Sequence, residues 1–232
     1  MHQSIFSLCL FSLAAPGALA QQAWAPAASG TTAELRGLSV VSPTVAWASG
    51  ARGTVLRTTD GANWQASSVP GAGKLDFRDI HALDATTALV MSAGPGEASR
   101  ILRTADGGKS WREVALNSYK EGFWDSMAFW DRDNGIVFGD PVGGKFQVYV
   151  TSDSGATWRH LQPTALEALA AARAVAAIAA ASTAHGSRGA WIATGGAQAA
   201  RVLRWSDRGA SWRAASLPIP AAAPGKGIFW GG

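Results

Sequence analysis

The sequence predicts an all-β fold, a β-propeller of four-stranded blades, and three observations lead there. A short stretch recurs as Thr104–Trp111, Thr151–Trp158 and Trp205–Trp212, with a copy one residue shorter at Thr58–Trp64. The closing tryptophans, Trp64, Trp111, Trp158 and Trp212, lie 47, 47 and 54 residues apart, a period that marks a repeat architecture. Between the copies run short β-prone segments bounded by turn residues at even spacing, the pattern of an all-β repeat.

Each copy reads as a turn. Its Asp (Asp60, Asp106, Asp153 or Asp207) can accept from backbone N–H groups just downstream, and the small residues and Gly after it let the chain reverse. The Trp that follows opens the next strand as an apolar anchor. These four carboxylates are therefore structural caps on the blade rim.

The chain divides on that period. Residues 1–20 read as a signal peptide: Ile5–Leu13 is a short apolar run, and Ala18-Leu19-Ala20 invites cleavage before Gln21. The run is too short to cross a bilayer, for which about 20 apolar residues are needed. The one cysteine, Cys9, lies inside it, so the mature chain is expected to be exported, periplasmic or secreted, and without disulfides. Residues 21–34 follow as an outer closing strand led by Trp24, and four blades take 35–70, 71–118, 119–163 and 164–218.

Within the first blade the strands are Leu35–Val41, Val45–Ala48 and Thr54–Arg57, then the strand led by Trp64. The second has Phe77–Leu83, Ala88–Met91 and Ile101–Arg103. The third has Phe123–Phe129, Ile136–Phe138 and Phe146–Val150, with a turn at Asp133-Asn134-Gly135. In the fourth, the alanine-rich 164–181 has helical propensity, but the register puts a first strand at Arg173–Ala181. Trp191–Thr194 and Arg201–Arg204 follow on schedule, with a short helical insertion near 164–171 to absorb the longer spacing. Residues 219–232 read as the first strand of a further blade.

Four Asp boxes at this period resemble the bacterial neuraminidase repeat. The fuller pattern, Arg36-Gly37-Leu38 on an inner strand and Leu56-Arg57-Thr58-Thr59-Asp60-Gly61 running to Trp64, resembles the photosystem II stability/assembly factor family and its exported bacterial relatives. Phe129-Trp130-Asp131 and Phe138-Gly139-Asp140-Pro141 are especially similar to those relatives. The resemblance covers Trp24 to Trp230. It implies a seven-bladed propeller, of which about four and a half blades are present in a C-terminally truncated chain. It implies no settled enzymatic activity, and in photosynthetic members a role in binding a membrane-protein assembly intermediate. An open propeller exposes strand edges and invites pairing with another chain, so dimerisation, or a fragment without independent function, is the consequence expected of truncation.

The chemistry legible in the residues is that of a binding face. With 20 Lys and Arg against 16 Asp and Glu, the chain carries a formal charge of +4. The residues that open each inner strand by spacing are Arg36, Arg78, Trp124, Arg173 and Lys226, each 12 to 15 residues after a repeat Trp. First strands line a propeller's channel, so four cations gather at its mouth, with Asp125 beside them, where they attract a protein partner or an acidic ligand. The opposing expectation is that Glu34, Asp76, Asp79 and Asp125 pair with them locally. An enzymatic alternative is a sialidase-like glycoside hydrolase using Tyr119, Glu121 and a carboxylate pair drawn from Asp79, Asp125 and Asp140.

Other motifs fail. Gly107-Gly108-Lys109-Ser110 imitates the end of a phosphate loop, but Arg103 stands where the leading Gly belongs. Gly94-Pro95-Gly96 lacks the rest of a dinucleotide fingerprint. His81, His160 and His185 lack metal-ligand spacing, and nothing suggests nucleic acid. No cofactor or metal is expected.

Overall fold

A computed structural model describes residues 26–161 and the strands 175–182, 188–194, 201–206 and 211–216. The signal-like segment, Trp24, Arg173, Asp207 and Lys226 lie outside these. Among the described residues, sixteen strands form four antiparallel four-stranded sheets, each taking its strands in chain order. Blade one comprises β1 (Leu35–Val40), β2 (Ala46–Gly50), β3 (Thr54–Thr58) and β4 (Trp64–Ser67). Blade two comprises β5 (Asp76–Ala82), β6 (Ala88–Ala93), β7 (Arg100–Thr104) and β8 (Arg112–Leu116). Blade three comprises β9 (Trp124–Phe129), β10 (Gly135–Val142), β11 (Lys145–Thr151) and β12 (Arg159–Leu161). Blade four comprises β13 (Val175–Ser182), β14 (Arg188–Thr194), β15 (Arg201–Ser206) and β16 (Ser211–Ser216), and Trp212 lies in this last strand.

First strands of adjacent blades pack on one another, while the fourth strands pack mainly within their own sheets. That places β1, β5, β9 and β13 innermost, the arrangement of a propeller. Strand β13 is the instructive one. Its sequence, VAAIAAAS, favours helix by local propensity, yet it pairs with β14 from Val175 to Ser182. A ladder of backbone bonds outweighs a per-residue preference of a few tenths of a kcal/mol.

Because side chains alternate across a strand, each blade has one apolar face toward the preceding blade and one toward the next. Three cores result. Trp47 and Val55 of blade one meet Phe77, Ile80, Val90 and Leu102 of blade two. Leu89, Met91 and Ile101 of blade two meet Trp124, Met127, Val137 and Tyr149 of blade three. Ile136, Phe138 and Val148 of blade three meet Ala190 and Ile192 of blade four. The stability of such an array is a sum of blade-to-blade contacts, so the faces matter more than any one sheet.

The Asp boxes stitch the rim. Asp106 Oδ1 accepts from the Ser110 N–H at 3.0 Å and Oδ2 from the Ser110 hydroxyl at 2.6 Å. Asp153 repeats this with Thr157 at 2.9 and 2.6 Å. In the shorter copy Asp60 takes the backbone and side-chain donors of Asn63, both at 2.8 Å. Such donors hold the carboxyls of Asp60 and Asp106 well below the ordinary value, and that of Asp153 too, where burial pushes up but the Thr157 bonds prevail.

The turns also join neighbours. Arg57 on β3 donates to the Gly107 carbonyl of the next blade's Asp box at 3.3 Å, and Arg103 on β7 donates to the Ser154 carbonyl at 3.2 Å. Gly107 and Ser154 both directly follow the box Asp, so this is a repeated latch. The Trp111 indole reaches back to Ser67 Oγ at 2.9 Å and meets Trp47 edge-on, ring centroids 6.3 Å apart.

Candidate functional site

The inner strands share a feature that spacing alone does not reveal. Each carries a β-bulge near its start: between Leu35 and Gly37, between Phe77 and Asp79, at Asp125 between Trp124 and Ser126, and between Val175 and Ala177. The extra residue is Arg36, Arg78, Asp125 and Ala176 in turn. A bulge breaks the alternation and re-aims the side chain it carries.

This register corrects a sequence expectation. Trp124 is not a member of the ring: it pairs with Gly139, is wholly buried, and packs edge-on against Tyr149 with ring centroids 4.9 Å apart. Asp79 comes just after the bulge of its strand, whereas Asp125 occupies the bulge of its own. In blade four the bulge residue is Ala176, and Arg173 precedes the strand, outside the described residues. Counting from the preceding Trp falls one residue short of the bulge in blade three and three short in blade four.

Arg36 is ion-paired to Glu34 at 3.0 Å and to Asp76 at 2.9 Å, with 43% of its side chain exposed. Arg78 is exposed and lies over the Phe123 ring, 5.8 Å from its centroid. Behind it sits Asp79, whose carboxylate is turned inward. It accepts from the N–H of Met127 and of Ile80, each at 2.8 Å, and from the Ser126 hydroxyl at 3.4 Å. Burial pushes its pKa up to about 6 despite those donors and the Arg78 charge. Asp79 therefore staples β5 to β9.

Asp125 is buried, and it hydrogen-bonds to Asp140 at the corresponding end of β10. Burial first, then the Asp140 charge, push the Asp125 carboxyl up to about 8, with Arg78 pulling the other way. A carboxyl raised that far keeps its proton at neutral pH. Gly139, next to this pair, has no room for a side chain: a Cβ there would meet the Phe123 carbonyl oxygen at 2.2 Å. The mouth thus presents two cations over a partly neutralised acidic floor.

Tyr119 does not join these carboxyls. It meets the His160 ring edge-on at 5.5 Å, and His160 stacks on Tyr149 at 4.6 Å. Burial pushes His160 down, and burial with the nearby Tyr119 pushes Tyr149 up to about 12, the reverse of what a nucleophilic phenol needs. Glu121 is exposed beside them. His81 stacks on Phe129 at 4.3 Å, and burial lowers it to about 4. Among the described residues, no group of three His, Cys, Asp or Glu could hold a metal, and no helix is long and apolar enough to cross a membrane. The Gly107-Gly108 stretch is occupied as a box turn, with the Gly108 N–H on Thr104 Oγ1 at 3.0 Å.

Sequence reasoning named Asp140 among three candidate carboxyls without choosing it as the partner of Asp125, and it missed Phe123 as the platform under Arg78. Neither follows from the repeat, since both depend on which bulge residue faces which neighbour.

The family model described as photosynthesis system II assembly factor YCF48 matches residues 17–194. No curated protein matches the sequence. Among solved structures, YCF48 bound to a D1 peptide aligns with a TM-score of 0.53 at 19% identity, over 79% of this chain and 55% of that one. YCF48 from Cyanidioschyzon merolae aligns at 0.58 and 19% identity, over 82% of this chain and 58% of that one. The NanB sialidase of Streptococcus pneumoniae aligns at 0.46 and 15% identity, over 75% of this chain and 29% of that one. The chain spans little more than half the length of the two YCF48 structures.

Proposed function

Since the chain belongs to the photosynthesis system II assembly factor YCF48 family, we propose that it is an exported, non-enzymatic binding protein whose channel mouth receives an extended, acidic segment of a protein partner. The observation that carries this reading is the placement of Arg36 and Arg78 at the same bulge of adjacent blades, both reachable from solvent. Lys226 follows a repeat Trp at the same 14-residue spacing as Arg78 and is the candidate to extend the ring. The complex of YCF48 with a D1 peptide supports a peptide as the kind of ligand.

The ion pairs on Arg36 do not argue against a ligand. Exposed pairs are worth only about 0–1 kcal/mol, so an incoming carboxylate can replace Glu34 or Asp76 at small cost. A guanidinium then binds it in a fork, and clustered cations raise the encounter rate. Export rests on the apolar run and small-residue site before Gln21, and mature protein beginning at Gln21 is its readout.

A glycoside hydrolase needs two carboxyls about 5–9.5 Å apart with the sugar between them. Asp125 and Asp140 are hydrogen-bonded to each other, which leaves no such gap.

Anisotropy of a labelled acidic peptide, against the same peptide with its carboxylates amidated, tests the reading. Binding should fall with salt and with amidation, and by about tenfold for each of Arg36→Ala and Arg78→Ala, or about 1.4 kcal/mol apiece. Equal affinity for both peptides, or an Arg36→Ala/Arg78→Ala protein that binds like the parent, overturns it.

A further inference from the structure

The bulge that carries Arg36 in blade one and Arg78 in blade two carries Asp125 in blade three, so an acid stands where the two preceding blades place a cation. Arg36 is held by two carboxylates, Glu34 and Asp76. Arg78 forms no ion pair among the described residues, although two carboxyls, Asp79 and Asp125, lie within reach of its charge. Asp79 is committed elsewhere, to the N–H groups of Met127 and Ile80. Whether Arg78 is free for a ligand therefore turns on Asp125.

The surroundings of Asp125 favour its uncharged form. It is 9% exposed, and its Oδ2 is buried without a hydrogen-bond partner among the described residues. An ionised oxygen in that position would lose its hydration with nothing in return, a cost that a protonated carboxyl escapes. The hydrogen bond to Asp140 points the same way, because two carboxyls can bond only when one of them carries a proton. Asp140 is fixed in turn by its own N–H, which donates to the Phe123 carbonyl at 2.8 Å, and the ring of that same Phe123 lies under Arg78. One residue thus ties the acid pair to the cation.

Few other charges face this point. Of the strands packed on β9, β6 (ALVMSA) and β13 (VAAIAAAS) carry no titratable residue, and β10 carries Asp140 alone. Strand β5 adds Asp76, paired with Arg36, and His81, stacked on Phe129 at the other end of β9. Lys145 pairs with Val142 near the turn of the β10–β11 hairpin, and Lys120 and Glu121 are in the linker before β9.

Resting on the reading of the mouth as a site for an acidic segment, we propose that Asp125 positions Arg78 for that segment and makes the mouth selective by pH. Uncharged beside Asp140, it leaves the Arg78 guanidinium to a carboxylate of the partner. Ionised, it takes that guanidinium as its own counterion and repels the incoming carboxylate. Since burial holds the carboxyl up at about 8, the mouth accepts the segment at neutral pH and releases it as the pH climbs past that value. Coupling of this kind is reciprocal, so a bound carboxylate favours the protonated form and binding near pH 8 takes up protons.

Anisotropy of an N-acetylated, labelled acidic peptide at pH 7 and pH 9 tests this, a window in which neither the peptide's carboxylates nor the arginines titrate. The parent should lose about tenfold in affinity across it. Asp125→Asn should show no such loss, Arg78→Ala should bind weakly at both values, and Arg36→Ala should bind more weakly yet keep the parent's slope. A slope that survives Asp125→Asn or Arg78→Ala overturns the proposal. Calorimetry of the parent at pH 8 in phosphate and in Tris does not depend on how any variant folds: the binding enthalpies should differ by the proton uptake, and equal enthalpies overturn the proposal. A parent that binds equally at pH 7 and pH 9 overturns the coupling and leaves the mouth as a peptide site, whereas a parent that fails to bind at pH 7 overturns both.

Discussion

The rim turns and the channel bulges come from the same repeat, and they have diverged in opposite ways. At the rim, Asp60, Asp106 and Asp153 each accept from the backbone N–H and the side chain of one residue three or four places on. At the channel, the equivalent positions hold Arg36, Arg78, Asp125 and Ala176. The rim carboxyls are exposed and pulled down, whereas the carboxyls by the channel, Asp79 and Asp125, are enclosed and pushed up. A turn has one geometric solution and keeps its residues. A bulge imposes only backbone, so its side chain is free to differ, and the differences mark where chemistry resides.

Three substitutions would break or sharpen that contrast. The largest effect is expected at Asp79, where replacement by Ala leaves the Met127 N–H and the Ser126 hydroxyl without their acceptor. Urea denaturation should show a loss of about 2–4 kcal/mol. A cost no greater than that of removing a rim Asp would erase the distinction.

Next comes Asp125→Asn, whose effect has a sign set by pH. The unfolded Asp125 gives up its proton near 3.8 and the folded one at about 8. Between those values the folded chain holds more protons, so stability falls as pH rises through the window and levels off above it. The Asn protein should match the parent near pH 4 and exceed it above pH 8 by on the order of 2 kcal/mol. A parallel pH profile for the two proteins would mean that the folded Asp125 carboxyl is not raised.

Smallest is Asp153→Ala on the rim, about 1 kcal/mol after allowance for solvent exposure, by analogy with helix capping. Here the folded pKa is depressed, so the contribution is present above the ordinary 3.8 and is lost as pH falls below it. Thermal melts at neutral and acidic pH give the comparison directly.

How far the sequence could be read follows the same division. The period in Trp64, Trp111 and Trp158 places every described strand, including the alanine-rich β13 that propensity would have made a helix. Arg36 and Arg78 were legible as inner-strand cations because the bulge keeps their spacing from the repeat. Trp124 was misplaced by one position, because a linker length cannot show where a bulge falls. Asp140 was legible only as one of three candidate carboxyls, and Phe123 under Arg78 was not legible at all.

By itself, then, the sequence determined the blades, their order and their Asp-box rims, since these rest on local turn chemistry and on alternation along a strand, both written in consecutive residues. The tertiary structure alone decided which inner-strand residue is bulged, that burial beside Asp140 raises the Asp125 carboxyl, and that Trp124 is sealed against Tyr149. Those outcomes depend on contacts between blades some fifty residues apart, where a shift of one residue in register reverses the face a side chain takes.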